Sequence, residues 1–590
     1  MRSIGIKVGE QSGYGTLHRW AEPRRPKRSY RVKRLLCAFG KCWKEYFDSS
    51  SLVGYKYLSE TPRPWIERIL WIVIHATTMF ALGFMVTGLW QHYVCTPVVT
   101  VVDSDNYPST KLDFPGIAIC SINRMSRRAV ENLSLKIKIS NLIDKTSEEI
   151  FELISSLRIL YDTAFEQDEL TERKARRQEA HKMFVQYFGE GYDITEIIES
   201  LTPKCADIML ACTYRSIFTN CSELLAFRKT QNGFCCTFNY AREPDDIPSS
   251  DFKEYARIEP NKIGIPGVAN GLTVVLEPFL EDYLFPFLPT TGWVVTIFNP
   301  GDYPDNTSGG VSEAIVAPSS ESFLELDVSS IYSENEIRPV SVNRRKCIFT
   351  DETDASKTSY TYSDCIVDCR ATAIWKACRC RPFFLPRRGN DEYSRKVCNT
   401  EDEPCLHAHK STWWSVLPHT PDAEESLSYD KAIGDRNESL KCTNCYPTCT
   451  DTRYYLQMQA TPLEPGRQYH TELLRSFQTK NQSILHIYFK KFGSVRLKQD
   501  MGYYWYELIS DIGGTCGVFV GFSLLSIVEL LYFIIQRTCQ CGCSKIPESK
   551  DQLKVNITTV HGGLYWNELL NDSRIHFKSR TSRRRRLERH

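Results

Sequence analysis

Two long apolar stretches stand out from an otherwise mixed pattern of apolar and polar positions. The first runs from Ile69 to Leu89 without a charged residue, and the second runs from Leu508 to Ile535. Each is long enough to cross a bilayer, which takes about 20 apolar residues. Tryptophan and tyrosine flank the first stretch, as is typical of a membrane interface. The pattern predicts two spans, at residues 65–90 and 502–536.

The residues that flank these spans predict the topology. A basic run occupies residues 24–34, and another ends the chain at residues 580–590. Because basic residues favour the cytosolic side, we expect residues 1–64 and 537–590 in the cytosol and residues 91–501 outside. The start of the chain lacks the apolar core of a signal peptide, so we expect no cleavable one.

The second apolar stretch differs from an ordinary membrane anchor. It carries two acidic residues, Asp511 and Glu529, and acids inside membranes usually face protein or water. Small residues are frequent in its first half, namely Gly513, Gly514, Gly517, Gly521 and Ser523. These features favour a segment that lines a cation pore. Close packing of two helices at Gly517 and Gly521 is the alternative explanation.

Between the spans, the periodicity predicts an α+β domain. Apolar residues recur at helical spacing within residues 126–199, for example at Ile150, Leu153, Leu157 and Leu160. Strand-like runs follow at residues 272–278, 292–300, 322–328 and 484–490. A second helical module, dense in cysteine, occupies residues 347–449.

Cysteine usage places this domain in an oxidising compartment. The chain has 23 cysteines, and most of them lie between Cys95 and Cys449, which predicts a disulfide framework. The spacings are not those of a zinc site, although His407 and His409 follow Cys405, so we expect no metal. Five glycosylation sequons begin in this domain at Asn132, Asn220, Asn306, Asn437 and Asn481. This signal is weak, because Asn556 and Asn571 begin sequons in the predicted cytosolic tail.

Several classes of function are disfavoured. The net charge of +2 gives no support for a nucleic-acid partner. The chain has no GxSxG, HExxH or phosphate-loop motif, so we predict neither an enzyme nor a bound cofactor. An ATP-gated channel would need a basic cluster after the first span, where VVTVVDSDNYP stands instead. A non-conducting adhesion or modulatory receptor is a further alternative.

A series of motifs resembles the degenerin/epithelial sodium channel superfamily, and most of all its arthropod pickpocket-like branch. The motifs are FPGIAICSIN at 114–123, GFCCTFN at 233–239, YSDCIVDC at 362–369, CTNCYPTC at 442–449, and ISDIGGTCGVFVGFSLLSIVELLYF at 509–533. They occur in the order of the family and cover the chain from Phe47 to Arg537. The resemblance implies a plasma-membrane, sodium-selective channel that is not voltage-gated and is sensitive to amiloride. It further implies homo- or heterotrimers with related subunits, contact with membrane lipid, and sodium as the permeant ion.

The resemblance also implies a hand-like domain, with a palm, ball and knuckle, a finger at 126–199 and a thumb at 347–449. In the pore it implies a selectivity filter at Gly521, Phe522 and Ser523. Asp511 corresponds to the outer mouth, Gly517 to the blocker site and Glu529 to the inner acid. Ser510 corresponds to a gating position where a small side chain is needed for closure. The family's His-Gly gating pair appears as Val53 and Gly54, so its histidine is lost.

Disulfide pairing follows from the resemblance alone, since the sequence by itself leaves many connectivities open. The implied pairs are Cys120–Cys235, Cys212–Cys221, Cys347–Cys449, Cys365–Cys445, Cys369–Cys442, Cys378–Cys405 and Cys380–Cys398. Cys95, Cys205 and Cys236 remain, which leaves room for one extra bridge and one free thiol. Cysteines near the inner leaflet are either palmitoylation sites or inert thiols, and they are Cys37, Cys42, Cys539, Cys541 and Cys543.

Overall fold

The computed structural model combines helices and sheets in one chain. It describes residues 46, 54, 56–59, 64–161, 170–242, 259–352, 360–386, 396–418, 439–464 and 481–543. The chain forms two compact units. The larger is Met85–Ile512, and the smaller is made from the described parts of Met1–Phe84 and Gly513–His590.

The larger unit contains the sheets of the described chain. Its strands are β1 (Val98–Pro108), β2 (Gly116–Ser121), β3 (Met209–Tyr214), β4 (Ile217–Thr219), β5 (Ala226–Thr230), β6 (Gly233–Phe238), β7 (Leu272–Leu276), β8 (Trp293–Phe298), β9 (Ser312–Val316), β10 (Ser320–Ser333), β11 (Val416–Pro418), β12 (Leu440–Cys442), β13 (Asp451–Pro462), β14 (Ser483–Phe489) and β15 (Gly493–Met501). Each of the four predicted strand-like runs overlaps one of these strands, which confirms the strand predictions.

The helices of the described chain, in order, are α1 (Lys56–Ser59), α2 (Trp65–Cys95), α3 (Arg127–Ile139), α4 (Ser147–Ser155), α5 (Leu170–Phe188), α6 (Ile194–Leu201), α7 (Cys205–Ile208), α8 (Cys221–Leu224), α9 (Val342–Arg345), α10 (Tyr362–Cys378), α11 (Glu403–Ala408), α12 (Lys410–Trp414), α13 (Trp505–Val520) and α14 (Leu524–Cys543). The fold is therefore mixed, as the periodicity predicts.

Strand β10 organises the larger sheet. In the described chain this sheet has the order β1-β15-β10-β14-β7-β3-β4, and β13 also pairs with β10. Side chains alternate between buried and partly exposed along most of β10, because successive residues of a strand point to opposite faces. Leu324, Leu326 and Val328 thereby enter a core shared with the second sheet, whose order is β5-β6-β2-β8-β9. Burying each such side chain stabilises the fold by about 1.5–3 kcal/mol.

Helices α3 to α6 contribute to a second core, which they share with residues of the cysteine-rich module such as Val367, Ile374 and Phe383. Helix α4 begins with a capping box, in which Thr146 and Glu149 satisfy each other's backbone amides. The four apolar residues that define its predicted helical face are buried here, at Ile150, Leu153, Leu157 and Leu160. The helical prediction for these positions is confirmed, with Leu157 and Leu160 in a 3-10 turn that continues α4.

Disulfides connect the short helices and loops of the cysteine-rich module 347–449. The bonds there are Cys347–Cys449, Cys365–Cys445, Cys369–Cys442, Cys378–Cys405 and Cys380–Cys398. Cys120–Cys235 and Cys212–Cys221 lie in and beside the sheets. These are the seven pairs that the resemblance implies. Each bridge typically contributes about 2–4 kcal/mol, largely by restricting the unfolded chain.

The structure also shows the pairing state of the three remaining cysteines of the larger unit. Cys205 bonds to Cys236, while Cys95 is an exposed free thiol. Sulfur atoms of Cys378 and Cys405 lie within 4.8 Å of a ring nitrogen of His409. Because those two sulfurs form a disulfide with each other, they are not the thiolates that bind metals.

A partly buried carboxyl group beside this module makes stability depend on pH. Burial and repulsion from Asp451 and Asp364 raise the pKa of Asp302 to about 8, although Arg242 partly opposes the shift. The folded state therefore keeps a proton that the unfolded chain releases near pH 4, and stability falls as the pH rises from about 4 to about 8. We predict that the melting temperature of Asp302→Asn changes less over this interval and exceeds that of wild type at pH 8.

Thermal unfolding of purified protein across this pH range measures the effect. The control is Asp105→Asn, which changes an exposed carboxylate on β1. A wild-type melting temperature that increases steadily from pH 5 to pH 8, or an Asp302→Asn profile parallel to wild type, would contradict the assignment.

Helix α2 is long and apolar enough to cross a membrane. In the described chain, α13 and the Leu524–Gln536 part of α14 meet that criterion only as a pair, bent by 74° at the break between them. The segment predicted as one span is thus two helices. That break is the starting point for the functional site.

Candidate ion pathway

The ends of both apolar segments meet at adjacent strands of the larger sheet. Strand β1 follows α2, β15 precedes α13, and the two strands pair antiparallel with Val98 opposite Met501. The amide of Gly502 donates to the carbonyl of Pro97 at 3.0 Å, which closes the ladder at this end. Tyr503 packs its ring on His92 and Tyr93, with centroids 5.7 and 6.4 Å away. The fold therefore holds the C-terminal end of α2 beside the start of α13.

Helix α9, which lies just before the cysteine-rich module, contacts the same end of α2. Arg344 on α9 donates to the carbonyls of Tyr93 and Val94 at 3.3 and 3.0 Å. These carbonyls belong to the last turn of α2, where a helix has unsatisfied acceptors and a partial negative charge. Arg344 thus caps α2 and links it to α9, just before the module begins at Cys347.

Charges on β15 reinforce the junction just outside α13. The ammonium of Lys498 lies 3.0 Å from carboxylate oxygens of both Glu334 and Asp500. The hydrogen bonds that Lys498 donates to Asp500 and Glu334 raise the pKa of Lys498, so its charge persists throughout the physiological range. Asp500 also accepts from the hydroxyl of Tyr504 at 2.9 Å.

The first turns of α13 carry Ser510 and Asp511, the residues matched to gating and to the outer mouth. Both side chains are exposed in the single chain. The Tyr503 hydroxyl donates to the Asp511 carboxylate, which orients the acid near the entrance of the helix. Further along, Gly517 is exposed, and an added Cβ would meet only the Phe522 carbonyl, at 3.8 Å.

The proposed filter residues form the break between the two helices. Helix α13 ends at Val520 and α14 begins at Leu524, so Gly521, Phe522 and Ser523 lie outside both. Gly521 has a φ of 71°, in the left-handed region that glycine adopts without a steric penalty. Its amide donates to the Gly517 carbonyl at 3.0 Å, the bond expected of a helix that ends in a left-handed residue.

Serine residues stabilise the far side of the break. Ser523 precedes α14, and its hydroxyl accepts from the amide of Ser526 at 3.3 Å. The Ser526 hydroxyl in turn accepts from the amide of Ser523 at 3.2 Å. This reciprocal pair has the form of a capping box and fixes where α14 starts.

Backbone carbonyls are the chemical groups that the break makes available. The last carbonyls of a helix have no amide partner within it, here those of Val518, Phe519 and Val520. They carry the partial negative charge of the helix C-terminus, which attracts cations. A ring of such oxygens is able to replace the water around a small ion.

The first half of α14 carries Glu529, the predicted inner acid, which is partly buried. One turn further, the ring of Phe533 packs on Tyr46, with centroids 5.3 Å apart. Tyr46 belongs to the segment before the first span. This contact places Tyr46 beside the middle of α14.

Comparison with known proteins decides between the candidate functions. The profile of the amiloride-sensitive sodium channel family matches residues 46–533. The chain belongs to this family. It is 23% identical over 513 residues to the sodium channel protein Nach of Drosophila melanogaster, covering 85% of this chain and 89% of that protein. It is 24% identical over 532 residues to pickpocket protein 28 of Drosophila melanogaster, covering 83% of this chain and 78% of that protein. It is 23% identical over 525 residues to acid-sensing ion channel 1 of Gallus gallus, covering 85% of this chain and 86% of that protein.

Membership confirms the degenerin/epithelial sodium channel superfamily and its pickpocket-like branch. The protein is a sodium channel subunit of a plasma-membrane family, and it is not an enzyme. The roles of individual pore residues stay predictions.

The other predicted sites differ in how far the structure describes them. Four sequon asparagines are exposed in the larger unit, as glycosylation requires, namely Asn132, Asn220, Asn306 and Asn481. Asn437, Val53, Cys37 and Cys42 lie outside the described residues, and so do the side chains of Cys539, Cys541 and Cys543.

Gly54, which the resemblance matches to the family's gating pair, occupies a position that gives it a testable role. Its φ is 84°, and an added Cβ would approach the His75 ring to 2.9 Å and Trp71 to 3.5 Å. His75 therefore packs against the segment before the span, as expected for a packing side chain. We predict that Gly54→Ala lowers the sodium current severalfold, because a left-handed alanine costs about 1–2 kcal/mol and displaces this contact.

Recordings normalised to surface protein measure the effect of Gly54→Ala. The matched control is Gly83→Ala, since a Cβ at Gly83 on α2 meets no atom within 4 Å. Equal currents per surface subunit in Gly54→Ala and wild type would show that this contact has no part in gating.

Proposed function

We propose that this chain is a subunit of a trimeric, sodium-selective, amiloride-sensitive channel that is not voltage-gated. It crosses the plasma membrane twice, with both termini in the cytosol and residues 91–501 outside in the hand-like plan of the family. The observation that carries the proposal is the break at Gly521–Ser523, which exposes helix-end carbonyls within an apolar segment.

Three copies around a common axis would bring three such breaks together. The carbonyls before Gly521 and the hydroxyl of Ser523 then form a ring of oxygens that substitutes for part of the hydration shell of sodium. Because the ring is made mostly of backbone, its diameter depends on the geometry of the break rather than on flexible side chains.

Other residues of the segment act in series with this ring. Asp511 concentrates cations at the outer mouth, and Glu529 offers a carboxylate toward the inner end. Gly517 lies one turn outside the filter and leaves room for an amiloride-type blocker. Conduction is passive and needs no cofactor.

The partners follow from the same proposal. The subunit assembles with copies of itself or with related channel subunits, and its apolar helices contact lipid. Palmitoylation of Cys539, Cys541 and Cys543 would anchor the start of the tail at the inner leaflet.

Two-electrode recording from cells that express this chain tests the proposal. We expect an inward current that disappears when external sodium is replaced by N-methyl-D-glucamine and that amiloride blocks. Ser523→Ile, which places a branched side chain at the break, abolishes the current while surface biotinylation stays at the wild-type level. A current that survives this change, or that does not depend on sodium, would refute the filter assignment.

A further inference from the structure

Helix α3 carries two apolar side chains on the face that points away from the core. Its inner face is buried at Val130, Ser134 and Ile137. Leu135 and Ile139 are 53% and 69% exposed, although the outer face of such a helix is normally polar. Because residues four apart are neighbours on a helix surface, these two side chains form one apolar ridge.

The sequon asparagine Asn132 lies on the same face as this ridge. It is exposed, and Leu135 and Ile139 follow it at three and seven residues, the spacing that aligns side chains along one face of a helix. Helical side chains lean toward the N-terminus, so Leu135 leans toward Asn132. A group attached to the amide nitrogen of Asn132 therefore begins about one turn from the ridge.

The serine of this sequon indicates when such a group is attached. Ser134 is 3% exposed, and its hydroxyl donates to the carbonyl of Glu131 at 2.8 Å. An enzyme that recognises the Asn-X-Ser sequence has no access to this hydroxyl once α3 has packed. Attachment at Asn132 therefore has to precede folding, and the attached group is present from the moment α3 forms.

A protein partner fits the ridge poorly. Basic residues outnumber acids on α3, with Arg127, Arg128, Lys136 and Lys138 against Glu131, so the same surface of a second copy would bring like charges together. Two side chains also fall well short of the about 1,000 Å² that a stable protein interface buries. The inner sugars of an N-linked glycan are uncharged, and the C–H groups of a sugar ring pack against aliphatic side chains.

We propose that Asn132 carries an N-linked glycan whose inner sugars lie on Leu135 and Ile139 and cover them. The inference rests on the proposed function, because N-glycosylation requires residues 91–501 to be outside the cell. The glycan keeps an exposed apolar surface from associating with other proteins. Asn306 offers a contrast, because residues 300–312 include no exposed large apolar side chain.

Hydroxyl-radical footprinting of the full-length glycoprotein in detergent tests this inference, because oxidation reports the solvent access of individual side chains. The wild-type protein from insect cells is compared before and after a peptide-N-glycosidase removes its glycans, so no variant has to fold. We expect oxidation of Leu135 and Ile139 to rise severalfold on removal. Oxidation of Ile265, which is 63% exposed in a stretch without a sequon, should stay unchanged.

Two single substitutions separate the Asn132 glycan from the others. Asn132→Gln should raise oxidation of Leu135 and Ile139 as enzymatic removal does, since glutamine is a good helix former and keeps α3 intact. The matched control is Asn306→Gln, which loses a glycan from a surface without an apolar ridge and leaves both side chains protected.

Equal oxidation of Leu135 and Ile139 with and without glycans would overturn the proposal. Equally high values would mean that the ridge is bare, and equally low values would mean that protein covers it. Peptide mass spectrometry distinguishes this failure from failure of the proposed function. A glycan at Asn306 but none at Asn132 would overturn the inference alone, whereas no glycan at any sequon would also contradict the extracellular placement of residues 91–501.

Discussion

Cells that express Ser510→Val should carry a large constitutive sodium current. Ser510 lies in the second turn of α13, directly before Asp511, and its small side chain is exposed in the single chain. In a closed trimer that surface has to pack against neighbouring subunits, and valine adds branched bulk there. A substitution that disfavours only the closed state shifts the population toward the open one.

The size of the increase in current depends on the fraction of wild-type channels that are closed and therefore able to open. If the open state holds about 1–10% of wild-type channels, the current is able to rise by about tenfold or more. Ser510→Ala is the control, because alanine is no larger than serine, and we expect a near wild-type current from it. Equal currents from Ser510→Val and Ser510→Ala at matched surface expression would contradict the assignment of Ser510 to the gating position.

The second large effect is expected from Gly521→Ala. Alanine in the left-handed conformation of Gly521 costs about 1–2 kcal/mol, and relief of that strain requires the break to change shape. Such a penalty corresponds to a roughly 5- to 30-fold loss of the native arrangement. Because the carbonyls before Gly521 are the proposed ion ligands, we predict loss of most sodium current and of preference over potassium.

Gly514→Ala is the matched control for this prediction. Gly514 lies in the regular part of α13, and an added Cβ meets no atom within 4 Å. Alanine is also a better helix former than glycine by about 1 kcal/mol. Sodium selectivity should therefore persist in Gly514→Ala, measured as the reversal potential in mixed sodium and potassium. Intact sodium selectivity in Gly521→Ala would show that the selectivity filter does not lie at Gly521.

The sequence predicts the periodic parts of the fold well. The helical spacing of Ile150 and Leu153 and the apolar run at 322–328 both reflect burial on one face, and burial is what the structure shows. Disulfide connectivity needed the family resemblance. The pairing of Cys205 with Cys236 was one of three options for the leftover cysteines, and only the fold brings those two together.

The details of the site were harder to predict, for identifiable reasons. An apolar run from Leu508 to Ile535 looks continuous, so hydropathy does not reveal that the helix ends at Val520 and turns by 74°. Gly521 was the available signal, since glycine is common where a helix terminates.

The most direct test of the central claim, that this chain forms a sodium pore through the break at Gly521–Ser523, is the reversal potential of Ser510→Val channels. Using this variant separates conduction from the unknown natural stimulus. When external sodium is replaced by N-methyl-D-glucamine, we predict that inward current vanishes and that the reversal potential moves strongly negative. An unchanged reversal potential would contradict the claim.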